Sequence, residues 1–207
     1  FIEKKCYSKT IEDSDVIILN SHLYGQGISL FKIIWTHRQL LKERTVLHRV
    51  DGPVSLYQSN NRFSVDKYIF KISRFVSDGT VFQSSWSQQE CKSIGMPSKH
   101  FELVTINAPD PKVFFNNYLP PPSANQKFKL IASSWSTNPN KGFDILEHLD
   151  NHLDYNKYEM TFIGRTPVPF RNIKQISSLP SFELAEQLRK HHLFVSPSFR
   201  EACSNSL

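Results

Sequence analysis

The sequence predicts an α/β protein built from two units, each with an open parallel β-sheet. Short apolar runs that suit buried strands alternate with stretches of helical periodicity, and such alternation favours parallel sheets. A proline-rich stretch without periodicity interrupts this pattern at 107–123, and the alternation restarts at Phe128. A chain of 207 residues is long enough for one to two domains. We therefore expect two domains joined by a linker.

The first predicted domain covers residues 1–107. Strands are expected where short apolar or β-branched runs occur, and helices where apolar residues recur every three or four positions. The predicted strands are 16–19, 45–47, 80–82 and 103–106, and the predicted helices are 28–41 and 86–94.

Residues 108–127 form the predicted linker, and residues 128–207 form the second domain. The second domain repeats the alternation, with an expected N-cap at Ser181 before its last helix. The chain begins at Phe1 rather than at a methionine and stops at Leu207, so we expect both domains to be incomplete. The predicted strands are 128–132, 158–163 and 193–195, and the predicted helices are 143–149 and 182–190.

Composition excludes several classes of protein. Hydrophobic residues make up 39% and charged residues 21% of the chain, which is typical of a globular protein rather than a disordered one. No apolar run approaches the ~18 residues that span a bilayer, and no secretory signal pattern is present. The three cysteines are scattered and form no Cys-x-x-Cys motif. We therefore expect a reducing, cytoplasmic environment.

The net charge of +6 is spread over both halves of the chain. No block of five or more like charges occurs, so a nucleic-acid partner is not expected. A mildly basic surface suits a phosphate-bearing ligand or an anionic membrane face. Peripheral contact with the inner face of a membrane is therefore one expectation, and an ordinary basic surface is the alternative.

The first candidate site is the loop at 133–142, which lies between a predicted strand and a predicted helix. It contains Ser134 and ends in Lys141-Gly142. A helix N-terminus offers free N–H groups and a partial positive charge to a phosphate, and Lys141 would add a full charge. The spacing differs from that of a nucleotide-hydrolysing P-loop. The alternative is a polar loop with a surface lysine.

Two further candidates follow later strands. Gly164-Arg165 follows the strand at 158–163, where glycine permits close approach of a ligand and arginine can grip a phosphate. Glu201 follows the last strand and is placed to accept hydrogen bonds from sugar hydroxyls. Ser204-Asn205-Ser206 is expected to begin a helix whose amides could hold a diphosphate. An exposed turn and a capped helix start are the alternatives.

The first domain contributes one candidate, and three patterns are set aside. His48 lies at the end of a predicted strand and could contact a bound sugar, although a structural histidine is the alternative. Asp13-Ser14-Asp15 matches a metal-binding pattern but precedes a strand, and 25–27 lacks the third glycine of a dinucleotide fingerprint. The adjacent His191-His192 point to different sides of a regular element. We therefore expect no metal and no nicotinamide cofactor.

Six motifs in chain order resemble a known family. They include the histidine loop, the step before the linker, the linker hinge, the Lys-Gly loop, the next strand end and the start of a Glu-x7-Glu motif. Together they resemble retaining glycosyltransferases of the two-Rossmann-domain (GT-B) type, in the large fourth family. The segments are 47–53, 78–86, 105–110, 133–144, 162–165 and 194–201.

The resemblance implies a hexosyltransferase that moves a sugar from a UDP- or GDP-linked donor to an acceptor hydroxyl with retention. It implies two parallel sheets facing across a cleft, no cofactor, no metal, and a glycan or lipid-linked acceptor in cell-surface glycan or polysaccharide synthesis. Lys141 would contact the diphosphate, Glu201 the sugar or ribose, and His48 the sugar near the reacting carbon. Ser134 and Arg165 would contact the donor, as would Ser204, Asn205 and Ser206.

The chain departs from the family pattern in two places. No arginine stands a few residues before Lys141, and the second glutamate of Glu-x7-Glu would fall at position 209, beyond Leu207. A non-catalytic nucleotide-sugar-binding module therefore remains an alternative, as does a nucleotide-sugar epimerase of the same architecture.

Overall fold

The computed structural model describes residues 8, 10–20, 34–36, 38–57 and 63–199. The chain divides into two units, Phe1–Asn107 and Ala108–Leu207. Each unit contains a four-stranded sheet whose neighbouring strands are all parallel. The predicted α/β class with two parallel sheets is therefore confirmed.

The strands of the first unit lie in the sheet in chain order. They are β1 (Val16–Asn20), β2 (Thr45–Val50), β3 (Gly79–Phe82) and β4 (Phe101–Val104), and the helices are α1 (Arg38–Glu43), α2 (Val54–Tyr57), α3 (Phe63–Phe75) and α4 (Ser85–Ser93).

Two elements of this unit have bounds that differ from the predicted ones. Strand β4 ends at Val104, so the predicted strand at 103–106 was placed two residues too late at both ends. Residues 28–33 of the predicted helix at 28–41 lie outside the described residues. Within its described part, residues 34–36 are helical and α1 begins at Arg38.

The helices of the first unit pack on one face of its sheet. Right-handed connections between strands that follow in chain order place every helix on the same side. Leu41 of α1 and Ile72 of α3 pack with the β1 residues Ile17 and Leu19, and Cys91 of α4 packs with Phe82 of β3. The opposite face carries apolar side chains that are about half exposed: Val16 (49%), Ile18 (57%), Phe101 (50%) and Leu103 (48%).

The second unit reverses its strand order. Its elements are β5 (Phe128–Ser134), a 3₁₀ turn (Pro139–Lys141), α5 (Phe143–His152), β6 (Tyr158–Gly164), β7 (Lys174–Ile176), α6 (Ser181–Arg189) and β8 (Leu193–Phe194). The sheet order is β7-β6-β5-β8. The chain therefore moves outward from β5 through β6 to β7 and then returns to the other side of β5.

Helices cover both faces of the second sheet. On one face, Phe143 and Leu146 of α5 pack against strand residues such as Phe162. On the other face, Leu184 of α6 packs against Ile131 and Ile163. The predicted N-cap at Ser181 was wrong, because Pro180 is the N-cap residue and no side chain caps this helix. The extended backbone of Pro180 leads directly into the first turn.

No helix in the described part of the chain is long and apolar enough to cross a membrane.

Candidate functional site

The strand order of the second unit reverses between β5 and β8, which are neighbours in the sheet. In open α/β sheets, ligands bind outside the carboxyl ends of the strands at such a point. Ser134 ends β5, the loop that follows contains Lys141, and the loop after β8 begins at Val195. The topology therefore brings two of the sequence-predicted segments to the same edge of the sheet.

Gly142 allows the loop after β8 to approach the loop after β5. Its φ is +74°, and a β-carbon there would lie 2.8 Å from the carbonyl carbon of Pro197 and closer still to its oxygen. The N–H of Phe199 donates to the carbonyl of Asn140 at 3.0 Å. The two loops are therefore in direct backbone contact, and Lys141 lies between the two contact points in sequence.

Gly164 forms a second close backbone contact, at the end of β6. Its φ is +125°, and a β-carbon would lie 2.9 Å from the carbonyl carbon of Ser134 and closer still to its oxygen. The N–H of Arg165 donates to the same carbonyl at 2.9 Å. We call the group formed by Ser134, Gly142, Gly164 and Pro197 the glycine cradle.

The hydroxyl of Ser134 forms hydrogen bonds within its own loop. It donates to the carbonyl of Ser136 at 2.7 Å and accepts from the N–H of Ser136 at 3.3 Å. Ser133 differs, because its buried Oγ has no hydrogen-bond partner within the described residues. A buried unpaired hydroxyl is costly. Sequence analysis did not single out Ser133, although it stands at the end of the same strand.

Helix α5 begins at the cradle and has ten residues. Its N-cap is Gly142, so no side chain satisfies the first amides. Open first-turn amides carry a partial positive charge and favour an anion. Asp144 lies in the first turn and offsets part of that charge, which makes the cation of Lys141 more important for an anionic ligand.

The remaining donor-site candidates are divided between described and undescribed residues. Arg165 is exposed and Lys141 is half-buried, so both side chains reach solvent. Glu201, Ser204, Asn205 and Ser206 lie outside the described residues, so their predicted roles remain predictions.

His48 is located in the interior of the first unit. It lies in β2 between Leu19 and Thr80, and its exposure is 0%. Neither ring nitrogen has a hydrogen-bond partner within the described residues, and burial lowers the pKa of the ring to about 4. The ring is therefore neutral at pH 7, and its contact with a bound sugar remains a prediction.

A polar network that sequence analysis missed joins the carboxyl ends of all four strands of the first sheet. The Arg49 guanidinium donates to Asp51 at 2.7 Å, to Asn20 at 3.3 Å and to Asn107 at 3.0 Å. The Asn107 amide donates to Gln83 at 3.1 Å. The available signal was a polar residue at the end of β1, directly after β2 and β3, and three residues after β4. The network holds this edge together up to the last residue of the unit.

No group of three or more histidine, cysteine, aspartate or glutamate side chains within the described ranges could hold a metal ion. Asp13 and Asp15 lie in the turn before β1, where the sequence places them.

Several solved glycosyltransferase structures are similar to this chain in fold. Sucrose-phosphate synthase from Thermosynechococcus elongatus superposes with a TM-score of 0.62 at 13% identity, over 93% of this chain and 52% of that chain. HepE from Anabaena, in complex with UDP and glucose, has a TM-score of 0.62 at 13% identity, over 89% of this chain and 53% of that chain. The catalytic domain of starch synthase IV from Arabidopsis thaliana, bound to ADP and acarbose, has a TM-score of 0.57 at 11% identity, over 93% of this chain and 54% of that chain.

The fold is that of GT-B glycosyltransferases. The chain spans about half the length of these solved structures. No protein-family model and no curated protein matches the sequence. At this level of identity the likeness shows the fold, and the activity has to be argued from the residues of this chain.

Proposed function

We propose that the protein is a nucleotide-sugar-dependent glycosyltransferase that moves a hexose to an acceptor hydroxyl with retention. The glycine cradle carries this proposal. It brings the Lys141 loop, the end of β6 and the loop after β8 to the point where strand order reverses, in a fold shared with enzymes whose solved structures hold UDP or ADP. Close backbone approach beside an uncapped helix and a lysine suits a diphosphate.

In this proposal the second unit binds the UDP- or GDP-linked donor. Lys141 and the first amides of α5 hold the diphosphate, with Arg165 as a second cation and Ser134 shaping the loop. Glu201 binds the sugar or the ribose, and Ser204, Asn205 and Ser206 extend the donor site. In this proposal His48 acts near the reacting carbon, which requires its buried ring to become exposed when the donor binds. The acceptor is a glycan or a lipid-linked sugar, reached in the cytoplasm or at the inner face of a membrane.

The proposed chemistry needs stabilisation of a leaving group. As the bond from the sugar to the diphosphate breaks, negative charge grows on the leaving phosphate oxygen. A preorganised cation and backbone amides stabilise that charge, and loss of one such donor costs ~10²–10³ in rate. In the proposed front-face reaction the acceptor oxygen attacks from the side of the leaving diphosphate, which takes the acceptor proton. No separate base is then required.

The decisive experiment is transfer by the longest natural polypeptide that contains this chain. Lys141→Ala is expected to lower turnover with UDP-glucose or GDP-mannose by about two orders of magnitude, and Glu201→Ala is expected to abolish it. Lys174→Ala is the matched control, because Lys174 is an exposed lysine at the start of β7, and it should leave turnover unchanged. Undiminished turnover in both site variants would overturn the proposal.

Two further readouts separate the alternatives. Donor binding measured by calorimetry without any turnover would indicate a binding module. Interconversion of the nucleotide sugar without an acceptor would indicate an epimerase. For a transferase, the anomeric configuration of the product, measured by NMR, tests retention directly.

A further inference from the structure

The second unit contains a cavity that the proposed donor site does not use. Its volume is about 580 Å³, and it is lined by residues 114–119 of the connecting segment, by Leu188 and Arg189 at the end of α6, and by His191 and His192. Small-molecule sites commonly have volumes of ~300–1,000 Å³. The cavity is therefore large enough for one or two sugar rings or a comparable ligand.

The position of this cavity separates it from the glycine cradle. His192 contacts Lys129, the second residue of β5, whereas Ser134 ends that strand. Five residues of extended chain span about 16 Å. The cavity thus lies at the amino edge of the sheet, and a ligand bound there does not occupy the carboxyl edge.

Contacts within the protein hold the walls of the cavity in place, and these contacts already occupy the guanidinium of Arg189. Arg189 donates to the carbonyl of Val113 at 2.9 Å, and its guanidinium lies 4.4 Å from the centroid of the Phe115 ring. His191 bonds to the carbonyl of Gln187 at 2.7 Å and to Thr161 Oγ1 at 3.1 Å. Arg189 therefore fixes the connecting segment against α6, and His191 fixes the end of α6 against β6, so both side chains already have partners within the protein.

The groups left for a ligand are neutral. Within the described residues, the side chains of Asn116, Asn117 and Tyr118 make no hydrogen bond, and Tyr118 is 80% exposed. His192 Nδ1 accepts from the N–H of Lys129 at 2.9 Å, so the ring proton is on Nε2, which is a donor. None of the described residues that line the cavity is acidic.

We propose that this cavity is a carbohydrate-binding site, separate from the donor site, for a neutral oligosaccharide. The C–H faces of a sugar ring stack on an exposed aromatic ring such as that of Tyr118. Side-chain amides such as those of Asn116 and Asn117 donate and accept at once, which matches pairs of sugar hydroxyls. A phosphate ligand is disfavoured because the guanidinium of Arg189 is committed to the protein.

The test uses neutral oligosaccharides as probes. Maltohexaose, cellohexaose and chitohexaose are titrated into the full chain, and binding is followed by calorimetry and by NMR shifts of the 114–119 and 188–192 amides. At least one probe is expected to bind and to shift these amides. Tyr118→Ala is expected to weaken its binding about five- to tenfold, and Tyr118→Ala combined with Asn117→Ala is expected to weaken it further.

Phe75→Ala is the matched control, because Phe75 is exposed to a similar degree, 75%, at the end of α3. It should bind the probe like the wild type, and thermal unfolding verifies that all variants are folded. Failure of all three probes to bind, or unchanged affinity in the double variant, would overturn the proposal. Binding to vesicles of phosphatidylglycerol that disappears in Tyr118→Ala, without oligosaccharide binding, would overturn it in favour of a membrane contact.

This binding is separable from the proposed transferase activity. Lys141→Ala should lose UDP-glucose binding and keep the oligosaccharide, and Tyr118→Ala should show the reverse. Each proposal can therefore fail without the other.

Discussion

A β-carbon on Gly142 would lie 2.8 Å from the carbonyl carbon of Pro197, so the two loops at the edge of the second sheet can meet only where one of them lacks a side chain. This contact is long-range, since the residues are separated by α5, β6, β7, α6 and β8. It determines whether the Lys141 loop and the loop after β8 can form a common site.

Gly142→Ala is therefore expected to displace one loop and to weaken donor binding. The substitution combines the strain of a positive φ, about 1 kcal/mol or more, with a clash against backbone that cannot rotate away. Gly95→Ala is the matched control, because Gly95 has a φ of +99° but no atom within 4 Å of the added carbon. Urea denaturation should show a clearly larger loss for Gly142→Ala than for Gly95→Ala. Equal losses would mean that Pro197 yields without cost.

Asp150 is expected to be a main determinant of the acid stability of the second unit. Burial raises the pKa of this carboxyl, but N–H bonds from Arg171, Ile173 and Asn172 outweigh it and bring the pKa below its usual value. These bonds are 2.7–2.8 Å long. The stabilisation is complete above the unfolded pKa of about 4 and is lost as the pH falls through the lower folded pKa.

Asp150→Asn should remove that stabilisation at neutral pH, by about 2 kcal/mol, because an amide oxygen cannot accept all three bonds as a carboxylate does. The measurement is the free energy of unfolding between pH 3 and pH 7. Asp154→Asn is the control, since the Asp154 side chain is 43% exposed, and it should have little effect. A parallel loss in both variants would contradict the assignment.

The sequence predicts well the strands whose signal is contained in a short local run of residues. Strands β1, β2, β3, β5 and β6 are short runs of apolar and β-branched residues that are buried on at least one face, and periodicity finds such runs. The short strand β7 has only three residues and offers no period to detect.

Helix α3 was missed because polar residues interrupt its buried face. Asp66 is 1% exposed and accepts from the N–H groups of Val54 and Ser55 at 2.7 and 3.1 Å, and buried Ser73 bonds to Thr80 at 3.1 Å. These polar groups are buried because partners elsewhere in the chain satisfy them, which a local pattern does not reveal. The spacing of Ile69 and Ile72 was the signal that remained.

The candidate site was predictable only in part. Residue types and strand ends pointed to Lys141 and Arg165, and the strand order of the second unit brings their loops to one edge of its sheet. The same reasoning treated His48 as a strand-end residue, although its alternation with Val46 and Val50 assigns it to the buried face of β2. The strand extends to Val50, two residues beyond His48, so the ring lies within the strand rather than at its end.

His48 should make the first unit sensitive to acid. Its pKa is about 4 in the folded protein and 6.5 as the ordinary value, so the unfolded chain takes up the proton first as the pH falls. Stability is complete above pH 6.5 and decreases between pH 6.5 and pH 4, by about 3 kcal/mol at most. His48→Leu should flatten this part of the profile, and His100→Leu, at an exposed position, should not. An unchanged slope in His48→Leu would show that the ring is protonated or hydrated in the fold.

The two faces of the first sheet should respond differently to the same chemical change. Val46 is 0% exposed and packs with Ile17 and Ile72, whereas Ile18 is 57% exposed on the opposite face. Val46→Thr buries a hydroxyl without a partner and is expected to cost about 1–3 kcal/mol. Ile18→Thr should cost less than about 0.5 kcal/mol. Urea denaturation of the chain measures both, and a loss for Ile18→Thr as large as that for Val46→Thr would show that Ile18 is buried in solution by a contact beyond those of the described residues.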